Sequence, residues 1–295
     1  MEVFLTGATG YIGSAVAEAL QKAGHKVTGL ARSQEKAKLL GERGVRAALG
    51  DLLKPETLAA AARSAEGVIH TANTNDVNAA QADAAVVREM LKALEGTGKP
   101  FVYTSGVWVL GSTGDKVADE QTPVNPTPLV AHRPAIEQEV LGAKGRGVRS
   151  VVIRPADVYG RGRGLLAMFT QSARETGAAR YVGDGQNRWG FVEVADLAQL
   201  YVLALEKAPA GSLYNAADGP SYRILELAEA ASAGAGAKGK TQAWPLDEAR
   251  KTLRAFADAL VLDQQVSGEK AKRELGWSPR GASVLDELKT GSYAR

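Results

Sequence analysis

The run Glu2-Val-Phe-Leu-Thr-Gly7-Ala-Thr-Gly10-Tyr-Ile-Gly13 constrains the fold of this chain more than any other stretch. Val3, Phe4 and Leu5 read as a buried strand, and Ile12, Val16 and Leu20 follow at helical spacing. Three glycines join the two. Gly7 allows a tight turn, Gly10 leaves bare backbone where a pyrophosphate would approach, and Gly13 lets the helix pack closely on the strand. The free N–H groups and positive dipole of that helix N-terminus would face phosphates. A glycine triplet spaced Gly-x-x-Gly-x-x-Gly is a weak signal alone. Between a strand and a helix it predicts a dinucleotide site.

The chain then alternates. Lys26–Ala31, Val45–Leu49, Val68–Thr71, Phe101–Thr104 and Val151–Arg154 read as strands. Helical runs near Gln34–Glu42, Pro55–Ala65 and Val77–Glu95 separate them. This order predicts an α/β fold: a doubly wound parallel sheet of the Rossmann type, with ligands outside the C-terminal strand ends. Residues 1–160 would form the Rossmann domain. Residues 161–295 would be mainly a smaller C-terminal lobe covering the substrate, with some segments returning to the sheet. Asp196–Glu206 and Leu225–Ala233 read as helices there, and the small-residue run Ala233–Gly239 as a loop.

Composition narrows the function. With no cysteine, thiol and disulfide chemistry is excluded, and His25, His70 and His132 are too scattered for a usual metal site, so no metal is expected. The net charge of +3 is spread along the chain, which gives no nucleic-acid partner. The first strand begins at residue 2 and no apolar run reaches membrane-spanning length, so a cytoplasmic protein with no membrane partner is expected.

The second strand ends Leu30-Ala31-Arg32-Ser33, without the carboxylate that binds ribose hydroxyls in NAD sites. A guanidinium holds a 2′-phosphate that a carboxylate would repel, so Arg32 with Ser33 favours NADP. The plainer alternative for Arg32 is a solvated strand-end charge. Asp51 after the third strand could accept from an adenine amino group or cap the helix at Pro55.

Several motifs together resemble the extended and atypical short-chain dehydrogenase/reductases, the NAD-dependent epimerase/dehydratase group. They are Thr6–Gly13, Gly50-Asp51-Leu52, Val68–Ala72, Tyr103–Gly111, Ile153–Gly160, Phe191–Ala198 and Tyr214–Ala217. The resemblance implies cofactor contacts from Gly7, Thr9, Gly10, Tyr11, Ile12 and Gly13. It adds Asp51 and Leu52 at the adenine side and Thr71, Ala72 and Asn73 at the end of the fourth strand. Pro155 and Val158 would close over the nicotinamide. Relatives often pair through the helices after the fourth and fifth strands, so a homodimer is compatible with it.

The family's Tyr-x-x-x-Lys pair is missing. In register, the tyrosine position is Leu129 and the lysine position is Arg133, which can still grip ribose hydroxyls but relays protons poorly. The usual serine falls on Gly106, with Ser105 one residue early. Ser105, His132 and Arg133 are therefore the catalytic candidates. Pro134 argues against helix across His132, whose alternative role is a capping or surface histidine. Arg161, Arg163 and Arg188 could hold a diphosphate or simply be solvated. Glu193 stands where relatives often carry histidine, and no chemistry follows for it. The expected activity is NADP(H)-dependent oxidoreduction of a carbonyl or alcohol of a small molecule. The alternatives are a nucleotide-sugar epimerase/dehydratase and a catalytically silent NADP-binding sensor or scaffold.

Overall fold

The computed structural model describes residues 1–294. Seven strands make one sheet: β1 (Glu2–Thr6), β2 (Lys26–Ala31), β3 (Arg46–Leu49), β4 (Gly67–His70), β5 (Pro100–Thr104), β6 (Arg149–Pro155) and β7 (Ser212–Ala216). Their order is β7-β6-β5-β4-β1-β2-β3, and every neighbouring pair is parallel. The order reverses between β1 and β4, which opens a crevice at their C-terminal ends.

Because side chains alternate across a strand, the sheet feeds two cores. Val3, Leu5, Val102, Val151 and Ile153 face one side, and Phe4, Phe101, Tyr103 and Val152 the other. The first side is covered by α1 (Tyr11–Lys22) and α2 (Gln34–Glu42), the second by α3 (Ala59–Ser64), α4 (Ala79–Leu94) and α5 (Arg133–Gly142). The segment after Pro55 begins as a 3-10 turn, Pro55–Leu58, before α3 takes over.

Beyond residue 160 the chain serves both halves. Helix α6 (Leu166–Thr176) belongs to a third, aromatic-rich core, whereas α7 (Val194–Lys207) packs on α1 and β7 adds the outer strand of the sheet. Helices α8 (Ile224–Gly234), α9 (Leu246–Leu253) and α10 (Ala255–Leu260) join the third core, to which Val284, Leu288 and Tyr293 also belong. The Ala233–Gly239 run is therefore a loop only in part, since α8 extends to Gly234. Among the described residues no helix is long and apolar enough to cross a membrane.

Candidate functional site

The glycine loop is built by exclusion. Gly7 has φ +76°, and an added Cβ would lie 2.6 Å from Thr71 Oγ1; one at Gly13 would lie 2.1 Å from the Gly7 carbonyl oxygen. Neither position tolerates a side chain. Gly10 differs: it is exposed, its φ is an ordinary −80°, and a Cβ would meet only the Gly7 oxygen, at 3.1 Å. Its bareness leaves room outside the loop, next to the first N–H groups of α1. Those N–H groups have no carbonyl within the helix. A cradle kept clear on its outer side fits a dinucleotide pyrophosphate. Thr9 borders the same loop. Ile12 packs into the core, and Tyr11 donates its hydroxyl to the Gly160 carbonyl at 2.8 Å. Burial raises the Tyr11 phenol well above its ordinary value, so it stays protonated near neutrality.

Arg32 is exposed at the close of β2. Ser33 is the N-cap of α2, its hydroxyl accepting from Lys36 N–H at 3.2 Å. That hydroxyl is shared with the helix rather than kept for a ligand. The Asp51 carboxylate accepts from Leu53 N–H at 3.0 Å in a local turn. The residue preceding the Pro55 turn is Lys54, so Asp51 does not cap it. Leu52 is buried in the core beside these groups.

At the end of β4, Thr71 donates to the Thr6 carbonyl at 2.8 Å, and Ala72 N–H reaches Thr6 Oγ1 at 3.3 Å. These bonds stitch β4 to the glycine loop. Asn73 accepts from Asn75 N–H, and Asn75 sits at φ +55°. Beneath lies a buried chain that sequence reasoning missed. Thr6 Oγ1 bonds His70 Nδ1 at 2.6 Å, His70 Nε2 bonds Asp83 Oδ1 at 3.0 Å, and Tyr103 donates to Asp83 Oδ2 at 2.6 Å. Burial alone would raise the Asp83 carboxyl. Its bonds to His70 and Tyr103 outweigh that and hold it below the usual carboxylate range. Asp83 lies 13 residues from His70 and 20 from Tyr103, so no local spacing could announce the chain.

The catalytic candidates converge unevenly. Helix α5 begins at Arg133, after a separate 3-10 turn at Pro128–Val130. Leu129 thus lies in the turn and is exposed. His132 stands at the N-cap position with helical dihedrals but makes no side-chain cap bond, and its Nε2 is buried without a partner. It is neither capping nor a plain surface residue. Burial, then the Arg133 charge, lower its affinity for protons, so the ring is neutral near pH 7.

Arg133 reaches over the strand ends. A Cβ at Gly106 would lie 3.3 Å from Arg133 Nη1 and 3.9 Å from the Pro155 carbonyl oxygen. Gly106 has extended backbone (φ 176°), so its glycine serves space rather than conformation. Arg133 Nε is buried and unpartnered. Ser105 is 4% exposed, and its Oγ is unpartnered too. Ser105 N–H bonds the Ile153 carbonyl, and Arg154 and Asn215 sit opposite each other on β6 and β7. Each of these two also has an unpaired buried polar atom, although Arg154 is forked to Glu137. Val158 is half-buried in the short strand Asp157–Tyr159, paired with Val192.

The remaining candidates are committed elsewhere. Arg161 forks Glu18, Arg188 forks Asp263 and reaches Asp115, and Arg163 lies over the Tyr11 ring. Glu193 is the N-cap of α7, accepting from Ala195 and Asp196 N–H, which explains the carboxylate there. Tyr159 packs edge-on against Phe191. Burial pushes the Asp157 carboxyl up to about 7 and that of Asp218 up to about 6.

A family model described as the NAD dependent epimerase/dehydratase family matches residues 3–217. An uncharacterized protein of Schizosaccharomyces pombe is 34% identical, over 99% of this chain and 100% of its own length. A 4-hydroxy-2-methyl-3-oxo-4-farnesyl-3,4-dihydroquinoline-1-oxide ketoreductase of Stigmatella aurantiaca is 28% identical, over 95% of this chain and 92% of its own. The UDP-glucose 4-epimerase of Thermus thermophilus, solved in complex with NAD, superposes with a TM-score of 0.82 over 100% of this chain and 99% of that one, and at 22% identity it speaks for the fold alone. With the glycine cradle, the strand order and the matched span in agreement, the chain belongs to the NAD-dependent epimerase/dehydratase family.

Proposed function

We propose that this protein is an NADP(H)-dependent oxidoreductase acting on a carbonyl or alcohol of a small molecule. The observation that carries the reading is the convergence at one crevice of a clear glycine cradle and the Arg133 guanidinium, laid over Gly106 with Nε unpartnered. The α1 N-terminus holds the pyrophosphate, Arg32 the 2′-phosphate, and Arg133 the ribose hydroxyls. The bound nicotinamide supplies hydride transfer. Reduction also needs a proton at the carbonyl oxygen. The candidates for supplying it are the Ser105 hydroxyl and His132 Nε2, both buried without a partner, or a water held beside them. The ketoreductase named among the relatives agrees with this direction of chemistry. A diphosphate-bearing sugar is less well served, since Arg161 and Arg188 already commit their guanidinium groups to carboxylates.

The test is NADPH and NADH binding followed by a carbonyl panel read as NADPH consumption. Tight binding with no turnover across the panel would overturn the oxidoreductase reading and leave a binding protein. Arg32→Asp is expected to lower NADPH affinity by about tenfold or more and invert the preference. An unchanged preference would show that Arg32 is only a strand-end charge.

A further inference from the structure

The first turn of α1, which forms the glycine cradle, is held by a loop distant in sequence. Tyr11 donates its hydroxyl to the Gly160 carbonyl across 149 residues of chain. The Arg163 guanidinium lies 5.1 Å over the Tyr11 ring. Two turns further along α1, Glu18 is forked by Arg161. Three residues of loop 160–164 thus grip the helix.

This loop does not keep its shape unaided. Gly160, Arg161, Gly162 and Gly164 have φ of +107°, +56°, +63° and +80°, and Arg161 adopts its value despite a side chain. Such backbone persists only where the surroundings over-determine it. Besides α1, those surroundings are Ser292 and Tyr293. The Tyr293 hydroxyl accepts from Gly160 N–H at 2.8 Å and donates to the Arg163 carbonyl. The Ser292 hydroxyl accepts from Gly162 N–H at 2.8 Å. Tyr11 and Tyr293 therefore meet on one residue, the first taking the Gly160 carbonyl and the second its N–H. Burial holds both phenols above their ordinary value, Tyr293 at about 12, so both hydroxyls keep their protons near neutrality.

Ser292 and Tyr293 are themselves fixed. The N–H and hydroxyl of Ser292 both donate to the Glu287 carboxylate, on the helix Val284–Lys289. Arg174 of α6 donates to the Tyr293 carbonyl at 2.8 Å, and Tyr293 is 2% exposed in the third core. A continuous path of hydrogen bonds runs from that core to the cradle. We infer that Tyr293, supported by Ser292, is a positioning residue of the cofactor site: through loop 160–164 it fixes Tyr11 and the first turn of α1 in the geometry that receives the dinucleotide. A cradle held in place loses less freedom when it binds, so the path shows itself as cofactor affinity. In naming the ligand, the inference rests on the cofactor reading; the link from residue 293 to residue 11 does not.

The experiment compares the full-length protein with Tyr293→Phe, Tyr11→Phe and the double variant. Tyr293→Phe keeps the buried ring and removes only the hydroxyl. NADPH and NADH are titrated by fluorescence, and amide exchange is followed by mass spectrometry without nucleotide. Each single variant is expected to bind the preferred nucleotide about fivefold more weakly. The double variant should lose little more than either alone, because both changes act through one loop. In Tyr293→Phe, exchange should quicken in residues 7–13 and 160–164 and stay as in the wild type in α4, a pattern that a general loss of stability would not give. Should Tyr293→Phe fail to fold, Ser292→Ala, which removes the acceptor of Gly162 N–H, takes its place in the same cycle with a smaller loss. Losses that multiply in the double variant, or a glycine loop that exchanges as in the wild type, would overturn the inference. If the wild type binds neither nucleotide, the cofactor reading falls, and the exchange pattern alone decides whether residue 293 positions residue 11.

Discussion

The two sides of the crevice have diverged within one fold. On the β1 side, Gly7 and Gly13 admit no Cβ, Gly10 keeps the outer face bare, and Thr71 ties β4 to the loop. On the β5–α5 side, the register that the resemblance implies has the family's residues replaced together. Gly106 stands for the serine, Leu129 for the tyrosine and Arg133 for the lysine. The replacements fit one another: the Arg133 guanidinium occupies space that a side chain at residue 106 would crowd, at 3.3 Å. On the proposed function, a binding half is held by steric exclusion while the proton-handling half is arranged around the Arg133 cation. A membership shown by glycines alone says what is held and leaves the proton route to be found.

The largest effect is expected where exclusion is strictest. Gly13→Ala puts a methyl 2.1 Å from the Gly7 carbonyl oxygen, and NADPH affinity should fall by about a hundredfold in a fluorescence titration. A small change would mean that the loop is looser than its geometry and would erase the contrast between the two sides. Arg133→Leu comes next. Losing a charged hydrogen-bonding group should cost about thirtyfold in turnover per molecule of bound cofactor, with the melting temperature little changed. Unaltered turnover would reduce Arg133 to packing.

Asp157 gives the smallest effect and a pH signature. Its folded-state value is raised to about 7 from an ordinary 3.8, because burial disfavours the charged form. Its stabilising contribution is thus intact below 3.8 and is lost as the pH rises through about 7. Asp157→Asn should melt with the wild type at about pH 4 and a few degrees higher at about pH 8. Equal melting at both would show that the carboxyl is well solvated.

Much of the sheet was legible in the sequence, because buried parallel strands are continuous apolar runs and the helices between them carry a periodic stripe. The predicted Gln34–Glu42 helix and Lys26–Ala31 strand coincide with α2 and β2. Pro134 correctly announced that helix would not cross His132, since its ring fits only the first turn. Less was legible at the site. Nothing local shows that Arg161 meets Glu18, 143 residues earlier, or that Arg188 meets Asp263, 75 residues later. Glu193 carried a recognisable signal in hindsight: a carboxylate directly before an apolar helical run is an N-cap.

The sequence by itself determined the architecture and the cradle, because glycine spacing, hydrophobic period and cap residues act over a few positions of chain. Only the tertiary structure decided which charges are free for a ligand. It joined Thr6, His70, Asp83 and Tyr103 into one buried chain, laid Arg133 over Gly106, and left Trp189 Nε1 buried and unpaired. Those outcomes depend on which distant groups packing brings within about 3 Å, the reach of a hydrogen bond, and burial sets how strongly each one counts.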